Sequence, residues 1–240
     1  MNPREARTDF SGIKAVFFDA GGTLFEPYPS VGEIYAEVAA RHGLRADPKD
    51  LEETFHSLWE ERDGLRSLAG SSSEKKEREW WHGLVWDVFS KLGKIRDFET
   101  FFEELYDRFA GAGAWRLFPD ALPALQDLKR RGKILGIVSN WDSRLFGIVE
   151  GLGLGGHLDF VLASATTGAA KPSPKIFQEA LKRARVSGPE AFHVGDSLED
   201  DIQGAEGAGI RAALLDRKGR RRGHTLIISS LQFLCRMFEN

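Results

Sequence analysis

The chain is 240 residues long, 42% hydrophobic and 29% charged, with a net charge of −3 and a pI near 6.1. Such a length allows one large domain or a core with an insertion, and the near-neutral charge gives no electrostatic footing for nucleic acid or an anionic membrane. Cys235 stands alone, so an internal disulfide is excluded; residues 1–9 carry no apolar signal region and no stretch approaches the roughly 20 apolar residues of a membrane span, so a cytoplasmic protein is expected.

The first apolar run, 13–19, ends in Asp19 and passes at once into Ala20-Gly21-Gly22-Thr23. Its hydrophobicity is continuous rather than alternating, which predicts a strand buried on both faces, as in a parallel sheet. From about Ser30 to Gly111 the pattern becomes purely helical. Ser30 and Glu33 form a potential capping box ahead of Ile34, Tyr35 and Val38. Asp47-Pro48 opens a second helix bearing Leu51, Phe55, Leu58 and Trp59. Residues 70–79 read as a polar connection, after which Trp81, Leu84, Val85, Val88, Phe89 and Leu92 follow helical spacing. Asp97 precedes a fourth stripe of Phe98, Phe101, Phe102, Leu105 and Phe109. Four amphipathic helices can bury these stripes against one another as a small bundle.

Beyond this insertion, strand and helix alternate. Asp120 is placed to cap a helix carrying Leu122, Leu125 and Leu128. Apolar runs follow at 134–139, 160–163, 191–196 and 210–216, with a weaker one at 225–228. Leu145, Ile148, Val149 and Leu152 make one intervening helix, and Pro174 opens another with Ile176, Phe177, Ala180 and Leu181. The expected fold is α/β, a doubly wound Rossmann-like parallel-sheet core with an inserted all-helical cap.

Ligands bind outside the carboxyl ends of strands in such sheets. Reading only strand ends gives Asp19, then Ser139-Asn140, then Asp196, with Lys171 just after another strand. Two acids, a hydroxyl and a cation thereby converge on one edge. His193 reads as a core histidine inside a strand, and His42, His56, His82, His157 and His224 have no metal-ligand spacing, which argues against zinc. Trp80, Trp81 and Trp86 read as packing among the inserted helices, Trp141 as a pocket wall or a contact to those helices. Arg217-Lys218-Gly219-Arg220-Arg221-Arg222 reads as a solvated basic loop.

Four stretches in order, Phe18-Asp19-Ala20-Gly21-Gly22-Thr23-Leu24, Ile137-Val138-Ser139-Asn140, Lys171-Pro172-Ser173-Pro174 and Gly195-Asp196-Ser197-Leu198-Glu199-Asp200-Asp201, make the chain resemble the haloacid dehalogenase (HAD) superfamily, subfamily I. The likeness spans nearly the whole chain. Residues 25–36 and the Ser139-Asn140-Trp141-Asp142 run resemble a group that includes rhythmically-expressed-gene-2-like proteins and HAD-like domain-containing protein 3. The resemblance implies a core from 1–26 and 113–240 and a cap over 27–112. It implies Asp19 as nucleophile, forming an aspartyl-phosphate, with Ser139 and Lys171 on the phosphate. Mg²⁺ would be held by Asp19, Asp196 and the Gly21 carbonyl, and Gly22, Thr23 and Asn140 would touch substrate. Asp201 and Asp200 would orient metal-bound waters or Lys171. The expected partner is a small phosphorylated molecule rather than nucleic acid or membrane, and the expected state a monomer or homodimer.

One departure stands out. Phosphatases of this superfamily carry an acid where this chain has Gly21, and general acid–base help of that kind is worth roughly 10²–10⁴-fold. The readings left open are a phosphatase lacking that acid, or using Asp142 in its place, and haloacid dehalogenation. Phosphonoacetaldehyde hydrolase-like cleavage would need a cap lysine such as Lys49; the last alternative is a slow or non-catalytic protein that binds metal or phosphate.

Overall fold

The computed structural model describes residues 10–221, 223 and 225–238; Arg222, His224 and residues 1–9 and 239–240, with the expectations placed on them, lie outside the described residues. Strand β1 (Ala15–Phe18) enters the molecule first, followed by the short β2 (Phe25–Pro27). Helices α1 (Val31–Arg41), α2 (Pro48–Glu61), α3 (Glu74–Leu92) and α4 (Phe98–Ala110) come next, and β3 (Trp115–Leu117) returns antiparallel to β2. The chain then alternates through α5 (Ala121–Arg130), β4 (Ile134–Ser139), α6 (Arg144–Gly151), β5 (Phe160–Ala163), α7 (Ser164–Thr167) and α8 (Pro174–Ala184). It ends with β6 (Ala191–Gly195), α9 (Gly204–Gly207), β7 (Arg211–Leu215), β8 (Ile227–Ile228) and α10 (Leu231–Met237).

The main sheet has six parallel strands in the order β5-β4-β1-β6-β7-β8. Successive side chains of a strand face opposite ways, and β1 shows why its run is continuously apolar. Val16 and Phe18 join one buried cluster with α5, α6 and α10, while Ala15 and Phe17 join another with α8 and α9. The chain leaves β1 toward β4 on one side and reaches β6 on the other. The carboxyl ends of these three adjacent strands therefore open a crevice at the switch in strand order.

The inserted helices own a third cluster, in which Tyr35 stacks on Phe89 at 5.7 Å and Phe89 meets Phe101 edge-on at 4.7 Å. Their starts match the sequence signals. Ser30, Asp47 and Asp97 each accept a hydrogen bond from a first-turn amide, satisfying a donor the helix itself cannot. Two expectations need correction. Residues 74–79 are not a connection but the first turns of α3, because Ser73 caps the helix by accepting from Lys76 N–H at 3.3 Å. Asp120 makes no cap for α5; its carboxylate accepts from Arg217 and from the Leu231 N–H instead. The pair β2–β3 has no counterpart in the sequence reading, since three residues are too few to show a period.

Candidate functional site

Asp19 follows β1 directly, and its N–H donates to Val194 O in β6 at 2.9 Å, so the sheet itself fixes its backbone. Its Oδ1 accepts from Ser139 Oγ at 2.9 Å and from Lys171 Nζ at 2.6 Å. Among the described residues no hydrogen bond is made to Oδ2. Lys171 also donates to Asp201 Oδ1 at 2.5 Å, and Asp201 further accepts from His193 Nε2 at 2.9 Å and from Ser197 N–H at 3.0 Å. A carboxylate only accepts, so Nε2 carries the imidazole proton. Oxygens of Asp19, Asp196 and Asp201 lie within 4.8 Å of one another.

The local sequence explains how four charged groups fit here. Gly22 has φ +76, and a Cβ there would lie 2.2 Å from Asp196 Oδ2; a Cβ at Gly195 would lie 2.0 Å from Asp201 Cγ. Both positions need glycine so that the carboxylates can approach the backbone. Residues Leu198–Gln203 form a π-helical turn, a rare geometry frequent at functional sites, started by Ser197 Oγ accepting from Asp200 N–H. That turn swings Asp201 back beneath Lys171.

The electrostatics follow from burial and from an imbalance of charge. Burial opposes the charge on Lys171, but Asp19 and Asp201 overcome it and hold its pKa above the ordinary lysine value. For Asp201, burial is outweighed by Lys171 and His193, which keep the carboxyl well below its usual range. Asp19 goes the other way: burial, aided by Asp201, outweighs Lys171 and raises it. Asp196 opens onto the crevice, yet enough protein flanks it that desolvation, then the charges of Asp19 and Asp201, push its carboxyl up to about 8. Three carboxylates face one ammonium, and the shared cost falls on Asp19 and Asp196. An all-oxygen donor set with excess negative charge fits a hard divalent cation, and Asp201, with both oxygens engaged, is the least available of the three.

Several expected residues take different roles. The Asn140 side chain is engaged within the protein: Oδ1 accepts from Lys171 N–H at 2.6 Å and Nδ2 donates to Lys171 O at 3.0 Å, clamping the lysine's backbone. Thr23 is wholly buried with its hydroxyl unpartnered among the described residues, while its carbonyl accepts from Arg217 at 2.8 Å. Arg217 therefore leaves the solvated basic loop and braces the turn after Asp19. Gly21 and Gly22 retain accessible surface beside Asp19. Asp200 sits 3.2 Å from Arg66 of the helical insertion; desolvation pushes its carboxyl up to about 6 against the pull of Lys171 and Arg66.

Asp142, considered as a substitute acid, is fully buried and held as a carboxylate. Burial favours protonation, but Arg144 grips both oxygens at 2.8 Å and Tyr106 donates to Oδ2 at 2.7 Å, so its pKa is lowered. Its Oδ1 also accepts at 3.0 Å from the N–H of Arg144, the first residue of α6. Trp59, Trp80 and Trp81 form one partly buried cluster in the insertion, whereas Trp86 is 51% exposed rather than packed away. Lys49 is exposed beside Glu53. His193 is the residue the sequence undersold: it is a core histidine, as expected, but it also holds Asp201. A polar residue in the middle of the run 191–196 was the signal.

A family model described as haloacid dehalogenase-like hydrolase matches residues 13–209. The human Haloacid dehalogenase-like hydrolase domain-containing protein 3 is 35% identical over 206 residues, covering 85% of this chain and 82% of that protein. Two solved structures are similar throughout. A HAD phosphatase from Thermococcus onnurineus is 27% identical with a TM-score of 0.68, covering 94% of this chain and 97% of the other. A 2-haloacid dehalogenase from Pseudomonas syringae pv. Tomato DC3000 is 26% identical with a TM-score of 0.63, at the same coverage. With a match of that extent falling on a six-stranded sheet whose switch point carries Asp19, Ser139, Lys171 and Asp196, the chain belongs to the haloacid dehalogenase-like hydrolase family.

Proposed function

We propose that this hydrolase acts on a small phosphorylated metabolite, with Mg²⁺, through an aspartyl-phosphate on Asp19. The observation that carries the reading is the asymmetry of Asp19. Its Oδ1 is held by Ser139 and Lys171, which leaves Oδ2 as the oxygen free to attack. Splitting one hard displacement into two easier ones is the use of such a covalent step. Lys171 neutralises the charge that phosphate and carboxylate would otherwise oppose, and Ser139 fixes the carboxylate's rotation. Asp201, steadied by His193 and Ser197, keeps Lys171 aimed. Asp19, Asp196 and the Gly21 carbonyl would hold magnesium, which when bound supplies positive charge beside the phosphate. The helices of 27–112 serve as a cap that excludes bulk water, with Arg66 reaching the core at Asp200.

Dehalogenation, in which Asp19 would attack carbon, is the second reading, and the 2-haloacid dehalogenase likeness favours it. Against it stand the acid cluster and the residue after Trp59, which is Glu60 rather than an arginine able to hold a carboxylate. Exposed Lys49 gives no support to Schiff-base cleavage of a phosphonate. The deciding experiment is phosphate release from 4-nitrophenyl phosphate with and without Mg²⁺, alongside halide release from 2-haloacids in EDTA. Magnesium-dependent phosphate release, lost by at least roughly 10⁴-fold in Asp19→Asn, is expected. Halide release in EDTA would replace this reading with dehalogenation. Tight Mg²⁺ and beryllofluoride binding without any turnover would replace it with a binding protein.

A further inference from the structure

Gly21 lies two residues beyond Asp19, and its backbone is not among the left-handed positions. Conformation therefore does not require glycine there. A Cβ built on Gly21 would lie 3.2 Å from Cζ3 and 3.7 Å from Cη2 of Trp141, with nothing else of the described residues within 4 Å. The indole edge thus stands in the direction that a side chain at 21 would take. Its placement is firm: the ring meets Phe25 at 5.7 Å and Trp115 at 5.0 Å, and the Trp141 N–H donates to Ser164 Oγ at 2.9 Å. Gly21 and Trp141 both keep accessible surface, so together they form an apolar wall next to the nucleophile.

Among the described residues, the acids that meet the Trp141 loop are not placed to give a proton there. Asp142, the next residue after Trp141, is locked by Arg144 and Tyr106. Glu77 is fully buried, so its carboxyl does not reach the crevice. A saturated alkoxide leaving past Gly21 would have nothing to protonate it, whereas a conjugated oxyanion needs no proton to leave.

We propose that Trp141 is a specificity-determining residue that seats a planar, conjugated leaving group, so that the substrates are phosphate esters of phenols or enols. This rests on phosphoryl transfer through Asp19. In the first step Asp19 Oδ2 forms a bond to phosphorus while the bond from phosphorus to the aryl or enol oxygen breaks. That oxygen keeps the electron pair and departs as a delocalised anion along the indole. In the second step water attacks phosphorus and the bond from phosphorus to Asp19 breaks, its oxygen recovering the electron pair; hydrogen phosphate keeps one of the water's protons and the other passes through solvent to the departed oxyanion. The apolar edge of the indole selects the ring, and the missing acid rejects alkyl esters.

The test compares phenyl phosphate with ethyl phosphate, at saturating Mg²⁺, in the wild type, Trp141→Leu and Trp141→Phe. Wild-type kcat/KM for phenyl phosphate should exceed that for ethyl phosphate by roughly 10²–10⁴-fold. Trp141→Leu should raise the phenyl phosphate KM about three- to tenfold while changing that for ethyl phosphate by less, and Trp141→Phe should restore most of the loss. Equal use of the two esters by the wild type, or an aryl KM indifferent to Trp141→Leu, would overturn the proposal. Acid-quench trapping of phosphorylated Asp19 separates the levels. Phosphoenzyme without aryl preference sinks the role of Trp141 alone; no phosphoenzyme from either ester, or from 4-nitrophenyl phosphate, sinks the Asp19 reading with it. Trp141→Phe keeps the test decisive if Trp141→Leu folds poorly.

Discussion

At the strand ends Asp19, Asp196 and Asp201 face a single ammonium, that of Lys171, whereas on the seam with the helical insertion Asp142 has Arg144 and Tyr106 to itself. Asp19 and Asp201 are buried as Asp142 is, so burial alone does not distinguish the two regions. What differs is the balance. Both oxygens of Asp142 are occupied, Oδ1 by two donors and Oδ2 by three, and the group is held ionised. At the strand ends the donors run out before the acceptors, leaving Asp19 Oδ2 and Asp196 with charge that the chain does not neutralise. A region that balances its own charge is structure; one that leaves charge unbalanced is prepared for a ligand.

Removing the cation from each region should break the comparison in different ways. Lys171→Met strips the strand ends of their one ammonium and is expected to have the largest effect. Loss of one electrostatic contributor costs roughly 10²–10³-fold in turnover, and leaving buried carboxylates unpaired costs about 3–5 kcal/mol. Rapid-quench kinetics and urea denaturation check the two parts. Added Mg²⁺ should recover stability, because it supplies a charge to the same groups, but not full turnover. Recovery of both would mean that Lys171 is only a filler of charge.

Arg144→Met should act on the seam alone. It leaves Asp142 buried with Tyr106 as its sole side-chain partner and removes a guanidinium stacked 3.5 Å from the Tyr106 ring centroid. A loss of about 3–5 kcal/mol in urea denaturation is expected. Mg²⁺ should not reverse it, and kcat of the folded fraction should hold. A selective loss of kcat with unchanged stability would move Asp142 back among candidates for proton transfer.

The contrast between these regions was only half legible in the sequence. The strand-end site was legible because a parallel sheet converts sequence order into place: Asp19, Ser139 and Asp196 close apolar runs, and adjacent parallel strands bring such ends together. Lys171 was legible by its motif but not by its support, since the Asn140 clamp joins residues 31 apart through one amide and one main-chain pair. The seam left no trace. Tyr106 sits on a helix whose stripe already accounts for Phe102, Leu105 and Phe109, and nothing in its spacing points to Asp142, 36 residues on. The same holds for Trp141 and Gly21, whose contact is a matter of how two loops fold over one another. Periodicity reports which face a residue lies on; it does not report which loop meets which.

Glu77 sharpens the comparison with a third outcome, a buried carboxyl given no cation at all. It is wholly enclosed, with Oε1 accepting from Ser164 at 2.5 Å and from Ser72, and Oε2 without a partner among the described residues. Burial dominates, and the Ser164 and Ser72 hydrogen bonds offset it only in part, while Asp142 and Glu74 add like charge; the carboxyl rises from 4.5 to about 7. The fold thus prefers Glu77 protonated. Because the folded state binds this proton more tightly than the unfolded chain, stability falls as pH rises from about 4.5 to about 7 and then levels off. The full effect is at most about 3 kcal/mol. Glu77→Gln keeps an accepting oxygen for the two serines and carries no charge. It should match the wild type near pH 4.5 and exceed it at pH 8 by up to about that amount. Urea midpoints of both proteins at the two pH values give the answer, and their difference cancels the contributions of Asp19 and Asp196, which are common to both. An advantage of Glu77→Gln that is the same at both pH values would mean that Glu77 is ionised when buried. In that case the seam would carry unbalanced charge as well, and imbalance alone would no longer single out the strand ends.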